Sequence, residues 1–280
     1  MLSKRNGTLY VSDMDGTLLG SDSLVSKRSA EIISDLSRRG ALITVATART
    51  PATVVPLLSE TFTAAPAIVM TGAAQWDRTP GEYRNVHFIP RADLELIIEV
   101  LGRYGIHPFV YSLDSPSFLN VYHAAPMLNP QENDFYAARC HLTLKRFYLG
   151  ACAPDLTRIP LCYAVGKHDR MFAAAEELKR CVGVSLSCYY DIFDQDVAHL
   201  ELQAAGVSKA AAVLELKAAL GVKRVVAFGD NLNDLPMLAV ADCAVAVGNA
   251  FDEVKAKADY VIGPNSEDSV AEFIRDDFDR

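Results

Sequence analysis

The sequence predicts an α/β protein: a doubly wound parallel sheet interrupted by an inserted α+β domain. Three observations carry that expectation. Short β-rich runs alternate with helical patterns in the first third of the chain, the same alternation returns near the C-terminus, and the stretch between them is built of aromatic, alternating runs.

Each element follows from local pattern. Residues 9–12 form a short strand ending at Asp13, and residues 29–39 carry Ile32, Ile33 and Leu36 at helical spacing before Gly40 stops the helix. Residues 42–46 are the next strand, ending at Thr47. A helix entered through Pro51 covers 50–60, and 67–70 is a third strand. Near the C-terminus the series is helix 209–220 stopped by Gly221, strand 224–228, helix 235–240, strand 243–247, helix 253–258 and strand 260–262. The middle holds an amphipathic helix over 91–103, alternating runs at 107–113 and 117–123, a further helical patch, a strand at 161–165, a helix over 169–181 and a strand at 185–190. Borders are expected at Arg78-Thr79-Pro80-Gly81 and at the polar segment 191–196. The division is therefore 1–80 and 191–280 for the parallel-sheet domain and 81–190 for the insert.

Composition narrows the function. With 35 Asp+Glu against 27 Lys+Arg the net charge is −8, which opposes non-specific binding to nucleic acid or anionic membranes. The two basic residues of Met1 to Asn6 precede only a three-residue apolar stretch, and no apolar run reaches the length of a membrane span, so the expectation is a soluble, cytoplasmic protein. The six cysteines include no Cys-x-x-Cys pair and read as small apolar residues in a reducing cell. A Walker A loop, a GxGxxG fingerprint and an HExxH helix are all missing.

Two loops carry chemistry. Asp13-Met14-Asp15-Gly16-Thr17-Leu18 directly follows a strand, and ligands of open α/β sheets bind beyond the carboxyl ends of strands. Two carboxylates two residues apart can converge on one metal ion. One can attack phosphorus and the other can donate a proton to a leaving oxygen, although spacing alone does not say which attacks. Gly229-Asp230-Asn231-Leu232-Asn233-Asp234 follows another apolar strand and again offers oxygen ligands for a hard cation. Taken alone, it reads equally well as an Asx-rich helix cap.

Together with the strand-terminal Thr47 and with Lys209 in Gly206-Val207-Ser208-Lys209, these loops resemble the haloacid dehalogenase (HAD) superfamily of phosphohydrolases, most closely its Cof-type phosphatases. The resemblance covers the two Rossmann-like core segments and not the insert in detail. It implies that Asp13 is the nucleophile forming an aspartyl-phosphate and Asp15 the general acid and then base. It implies that Thr47, Lys209 and Asn233 hold the phosphate. Mg²⁺ would be bound by Asp13, Asp230 and the Asp15 backbone carbonyl, with Asp234 orienting the metal site and Lys209 from the outer shell. An insert between Thr47 and Lys209 resembles the C2-type caps of the superfamily, which close over the site and recognise the leaving group.

Two positions depart from the Cof-type pattern: Thr47-Ala48-Arg49 stands where Thr-Gly-Arg is common, and Thr71-Gly72-Ala73 where Asn-Gly-Ala is common. Ala48 keeps the N–H a phosphate oxygen would use, but would strain a turn requiring positive φ. Arg49 is read equally as a substrate contact or a structural ion pair. The cap aromatics Phe109, Tyr111, Phe118 and Tyr122 alternate as half-buried strands do, so core packing is their default. Lys167, His168 and Arg170 read as a solvated helix end, and the six histidines as ordinary surface or hydrogen-bonded residues.

The sequence thus points to a Mg²⁺-dependent phosphomonoesterase acting on a small phosphorylated metabolite, with a sugar phosphate the first class. The rivals are a phosphomutase using the same aspartyl-phosphate and a non-catalytic phosphate- or metal-binding protein. No nucleic-acid or membrane partner is expected, and oligomeric state leaves no signature.

Overall fold

The computed structural model describes residues 7–126, 128–191 and 194–280. The basic N-terminal residues lie outside these, as do residues 192 and 193 of the expected border at 191–196. The chain divides into two compact units, one running to Gly81 and resuming at Ser208, the other Glu82–Val207.

The first unit begins with β1 (Thr8–Ser12), α1 (Lys27–Arg38), β2 (Leu42–Val45), α2 (Pro51–Leu57), β3 (Ala67–Val69) and β4 (Ala74–Asp77). The second holds β5 (Glu82–Arg84), α3 (Arg91–Arg103), β6 (Phe109–Ser115), β7 (Phe118–His123), α4 (Pro130–Ala137), β8 (Lys145–Leu149), β9 (Leu161–Lys167), α5 (His168–Cys181), β10 (Ser185–Tyr190) and β11 (Val197–Gln203). The first unit then resumes with α6 (Lys209–Leu220), β12 (Arg224–Gly229), α7 (Leu235–Ala239), β13 (Cys243–Ala246), α8 (Asp252–Lys255), β14 (Tyr260–Val261) and α9 (Ser269–Phe278).

In the first unit five strands form a parallel sheet in the order β14-β13-β12-β1-β2. β1 and β12 are buried along nearly their whole length, as strands covered on both faces must be, which is why they read as continuous apolar runs. Parallel pairing sends all five carboxyl ends the same way, and the register Val45↔Ser12↔Phe228 puts the loops after β2, β1 and β12 side by side. Ser26 caps α1 and Ser208 caps α6, each accepting from the backbone N–H three residues on, and Gly221 ends α6 in the left-handed region. α9 has no counterpart among the expected elements. Its Val270, Ala271, Ile274 and Phe278 are buried, and its Asp277 accepts from Tyr10 of β1 and pairs with Arg224.

The expected third strand is shorter than its apolar run. β3 touches the parallel sheet through a single bridge, Ala46↔Ile68, and then pairs antiparallel with β4. The reversal is made by Met70, Thr71 and Gly72, whose φ values are 51°, 56° and 101°. Gly72 is required here: a Cβ would lie 2.3 Å from the Ser208 carbonyl, so the turn packs directly on the start of α6.

The second unit is a six-stranded sheet in the order β10-β11-β9-β6-β7-β8, antiparallel except for β7 with β8. One face is covered by α3 and α5 through Leu94, Ile97, Leu101, Met171 and Leu178. On the other face Phe135 of α4 stacks on Tyr163 at 4.4 Å and lies 5.0 Å from Phe109. Phe109 and Tyr111 are buried as core aromatics, and Tyr122 stacks on Tyr148 at 5.0 Å.

The division expected at residue 191 is corrected. Residues 197–203 form β11, which lies between β10 and β9 with Ala198, Leu200 and Leu202 fully buried, so they belong to the second unit. The polar stretch before it closes a hairpin, in which Asp191 N–H donates to Val197 and Asp194 N–H to the Asp191 carboxylate. A hairpin loop and an interdomain linker share the same Asp-rich composition, and only strand pairing separates them.

Candidate active site

The site is built on the carboxyl ends of β1 and β12 and the first residue of α6. Asp13 leaves β1 with its N–H donating to Phe228 O at 3.0 Å, which ties the loop to β12. Lys209, the first residue of α6, is buried with its Nζ 2.5 Å from Asp13 Oδ1 and 2.8 Å from Asp234 Oδ1. Asp234 is fully buried, and its other oxygen accepts the N–H groups of Asp230 and Asn231, both at 3.2 Å. Asp13, Asp230 and Asp234 each present an oxygen, all within 4.8 Å of one another.

Electrostatics follow from that crowding. Three carboxylates face one ammonium in a region poor in water. Burial pushes Asp13 up to about 7, Asp234 and Asp230 push the same way, and Lys209 pulls against them. Asp230 is also raised, by burial first and then by Asp234, against the opposing hydroxyl of Thr17. Burial works against the Lys209 charge, but Asp13 and Asp234 outweigh it and hold the ammonium above its ordinary range. The excess of negative charge and the all-oxygen donor set suit a hard divalent cation, which would relieve the repulsion.

The turn at Met14–Leu18 is shaped around Asp230. Gly16 sits at φ +80°, and a Cβ there would lie 2.5 Å from Asp230 Oδ2. The Thr17 hydroxyl donates to Asp230 Oδ1 at 2.7 Å. Thr17 was no candidate on sequence grounds, since its place in the hexapeptide reveals nothing about a partner more than two hundred residues away.

The remaining candidates lie around this cluster. Asp15 is exposed and turned to Arg49, whose Nε and Nη2 donate to its two oxygens. Thr47 is buried, and its hydroxyl oxygen accepts from Arg49 N–H at 3.1 Å. Ala48 is not at positive φ, so the departure from Thr-Gly-Arg strains nothing. Asn233 is exposed on the short helical turn Leu232–Asp234, and among the described residues it makes no hydrogen bond to the carboxylate–lysine cluster. Arg49, left open between two roles by the sequence, is an ion-pair partner of Asp15.

A family model for haloacid dehalogenase-like hydrolases matches residues 10–274. The chain belongs to that family. This haloacid dehalogenase-like hydrolase aligns over nearly its whole length with relatives named as phosphatases. A 5-amino-6-(5-phospho-D-ribitylamino)uracil phosphatase of Bacillus subtilis is 26% identical over 275 residues, covering 95% of this chain and 94% of the relative. A pyridoxal phosphate phosphatase of Escherichia coli is 28% identical over 274 residues, covering 94% and 95%. The crystal structure of a haloacid dehalogenase-like hydrolase from Bacteroides thetaiotaomicron superposes with a TM-score of 0.76 at 24% identity, covering 96% of this chain and 98% of that one, and shows the shared fold. Among the described residues of the hydrolase, no helix is long and apolar enough to cross a membrane.

Proposed function

We propose that the protein is a Mg²⁺-dependent phosphomonoesterase that hydrolyses a small phosphorylated metabolite through a phosphorylated Asp13. The observation that carries this reading is Lys209 held between Asp13 and Asp234, with Asp230 completing a three-carboxylate group. In it the second unit is the C2-type cap, and the unpaired state of all six cysteines supports a reducing, cytoplasmic setting.

The environments of the two loop carboxylates divide the work. Asp13 is buried and fixed by an ammonium, as a nucleophile requires; Asp15, its side chain 54% exposed and oriented by Arg49, faces solvent where a leaving group can meet it. An Asp13 oxygen bonds to phosphorus as the ester P–O bond breaks, and the departing oxygen takes a proton from Asp15. Asp15 then removes a proton from water, which attacks phosphorus, releases inorganic phosphate and returns Asp13 as carboxylate. Lys209 neutralises charge on Asp13 and on the phosphoryl oxygens, Asp234 holds Lys209 in place, and the Thr47 hydroxyl and the Asn233 amide bind phosphoryl oxygens. Asp13, Asp230 and the Asp15 carbonyl would hold Mg²⁺, which when bound supplies positive charge against the phosphoryl group.

The test is inorganic phosphate release from sugar phosphates, 5-amino-6-(5-phospho-D-ribitylamino)uracil, pyridoxal phosphate and 4-nitrophenyl phosphate, each with Mg²⁺ and with chelator. Chelator-sensitive release, absent in Asp13→Asn, is expected. An isomeric phosphate ester in place of inorganic phosphate would make the protein a mutase, and folded protein inactive on every compound would overturn the reading.

A further inference from the structure

Two asparagines that belong to neither acidic loop hold the Asp15 turn from outside. Asn249, in the loop after β13, donates from Nδ2 to Gly16 O at 2.8 Å. Its Oδ1 accepts Asn265 N–H at 2.9 Å, and Asn265 Nδ2 donates to Leu19 O at 2.7 Å. The carbonyl of Gly16 within the Met14–Leu18 turn and that of Leu19 just after it are therefore bound by amides from loops more than two hundred residues later. The loop bearing Asn249 is itself fixed: Gly248 N–H donates to Gly263 O, and Phe251 N–H donates to Asp230 O at 2.9 Å.

This bonding has a use beyond closing a loop. Gly16 is in the left-handed region, and as a glycine it has the least intrinsic preference, so the Gly16–Thr17 peptide that carries the bound carbonyl has little steric reason of its own to keep one orientation. Asn249 fixes that peptide, beside the Leu19 N–H to Met14 O bond that closes the turn, one residue from a carboxylate that is half exposed and held by Arg49. Asp13 needs no such help, being fixed by Phe228 O and Lys209.

We infer that Asn249 and Asn265 are positioning residues for Asp15, holding the turn so that its carboxyl reaches the leaving oxygen. The inference rests on the reading of Asp15 as general acid. Proton donation matters most when the leaving group is a poor one: an alkoxide requires it, whereas 4-nitrophenolate leaves unaided. The dependence on leaving group therefore distinguishes positioning of the acid from general damage to the fold.

The experiment compares kcat/KM, which reports the steps through formation of phosphorylated enzyme, for an alkyl phosphate and for 4-nitrophenyl phosphate in the wild type, Asn249→Ala and Asn265→Ala. Asn249→Ala is expected to lose about tenfold on the alkyl phosphate and under about threefold on the aryl phosphate, with the Mg²⁺ half-saturation and Tm nearly unchanged. Asn265→Ala should show the same selectivity with a smaller loss, and it carries the test if Asn249→Ala does not fold. Equal losses on both substrates, or losses abolished by excess Mg²⁺, would overturn the inference, the latter by placing the effect on Thr17 and Asp230. Asp15→Asn separates the two layers. If it discriminates between the substrates while Asn249→Ala does not, only the positioning role fails; if Asp15→Asn does not discriminate, the reading of Asp15 fails and the inference with it.

Discussion

The Arg49 guanidinium meets the Asp15 carboxylate through two bonds, Nε to Oδ2 at 2.8 Å and Nη2 to Oδ1 at 2.6 Å. A planar fork on a planar acceptor fixes the carboxylate in one orientation, which a single contact does not. Arg49 lies two residues beyond Thr47, so the loop after β2 reaches across to the loop after β1 through side chains as well as through the sheet.

Arg49→Leu should therefore impair turnover far more than stability. With the Asp15 side chain half exposed, the pair contributes under about 1 kcal/mol to folding. Loss of orientation at the proposed proton donor should lower kcat/KM about tenfold or more. Arg49→Lys should recover only part of it, because an ammonium cannot form the fork. Steady-state kinetics beside thermal denaturation check both statements.

Asp13 predicts a pH dependence of the metal-free protein. Its carboxyl is pushed up to about 7, with burial the main cause, so the folded state favours the protonated form. A group raised on folding contributes stability that is complete below its ordinary value near ~4 and is lost as pH rises through the folded value. Asp230 has the same sign, and Lys209 keeps its charge throughout this window. Stability measured in chelator should fall from about pH 4 to about pH 7 and level off above it. Asp13→Asn, fixed in a neutral form, should fall less and melt above the wild type at the upper end, while losing at least about a thousandfold in turnover. A flat wild-type profile would count against this assignment.

Gly16→Ala joins two penalties. The left-handed backbone costs about 1 kcal/mol for alanine. The new Cβ would fall 2.5 Å from Asp230 Oδ2, so the carboxylate must move. A destabilisation of about 1–3 kcal/mol by chemical denaturation is expected, with a raised Mg²⁺ requirement for phosphate release as Asp230 shifts from Thr17.

Thr71→Asn should have the opposite sign. Thr71 is β-branched and sits at φ 56°, ψ 23°, a region asparagine enters more readily. Its N–H bond to Thr47 O is a backbone contact that survives the change. A gain of about 0.5–1 kcal/mol is expected, seen as a higher Tm. The departure from Asn-Gly-Ala noticed in the sequence is thus a strained position as well as an altered side chain.

Much of the fold was legible because its signals are local. Alternation of strand and helix patterns announces the parallel sheet, α3 and α5 stand where apolar spacing puts them, and Gly221 stops α6 as a glycine after a helix does. α2 ends at Leu57, before the expected residue 60, in a helix that contains Pro56. α9 escaped notice because a short helix of mixed charge shows its apolar face only once β1 and α1 offer something to cover. β11 has no counterpart among the expected elements, and its residues lie beyond the border expected at 191–196, because a strand's partners are not written in its own residues.

By itself the sequence determined the elements of the sheet and the acidic loops at two strand ends, since periodicity and turn chemistry act over a few residues. The tertiary structure alone decided which groups meet. Lys209 reaches Asp13 across 196 positions and Asn249 reaches Gly16 across 233. Those pairings depend on strand order, on register and on the depth at which each side chain is buried. The same burial decides their charge, because a carboxylate's preference for its ionised form is set by the water and cations around it rather than by its neighbours in the chain.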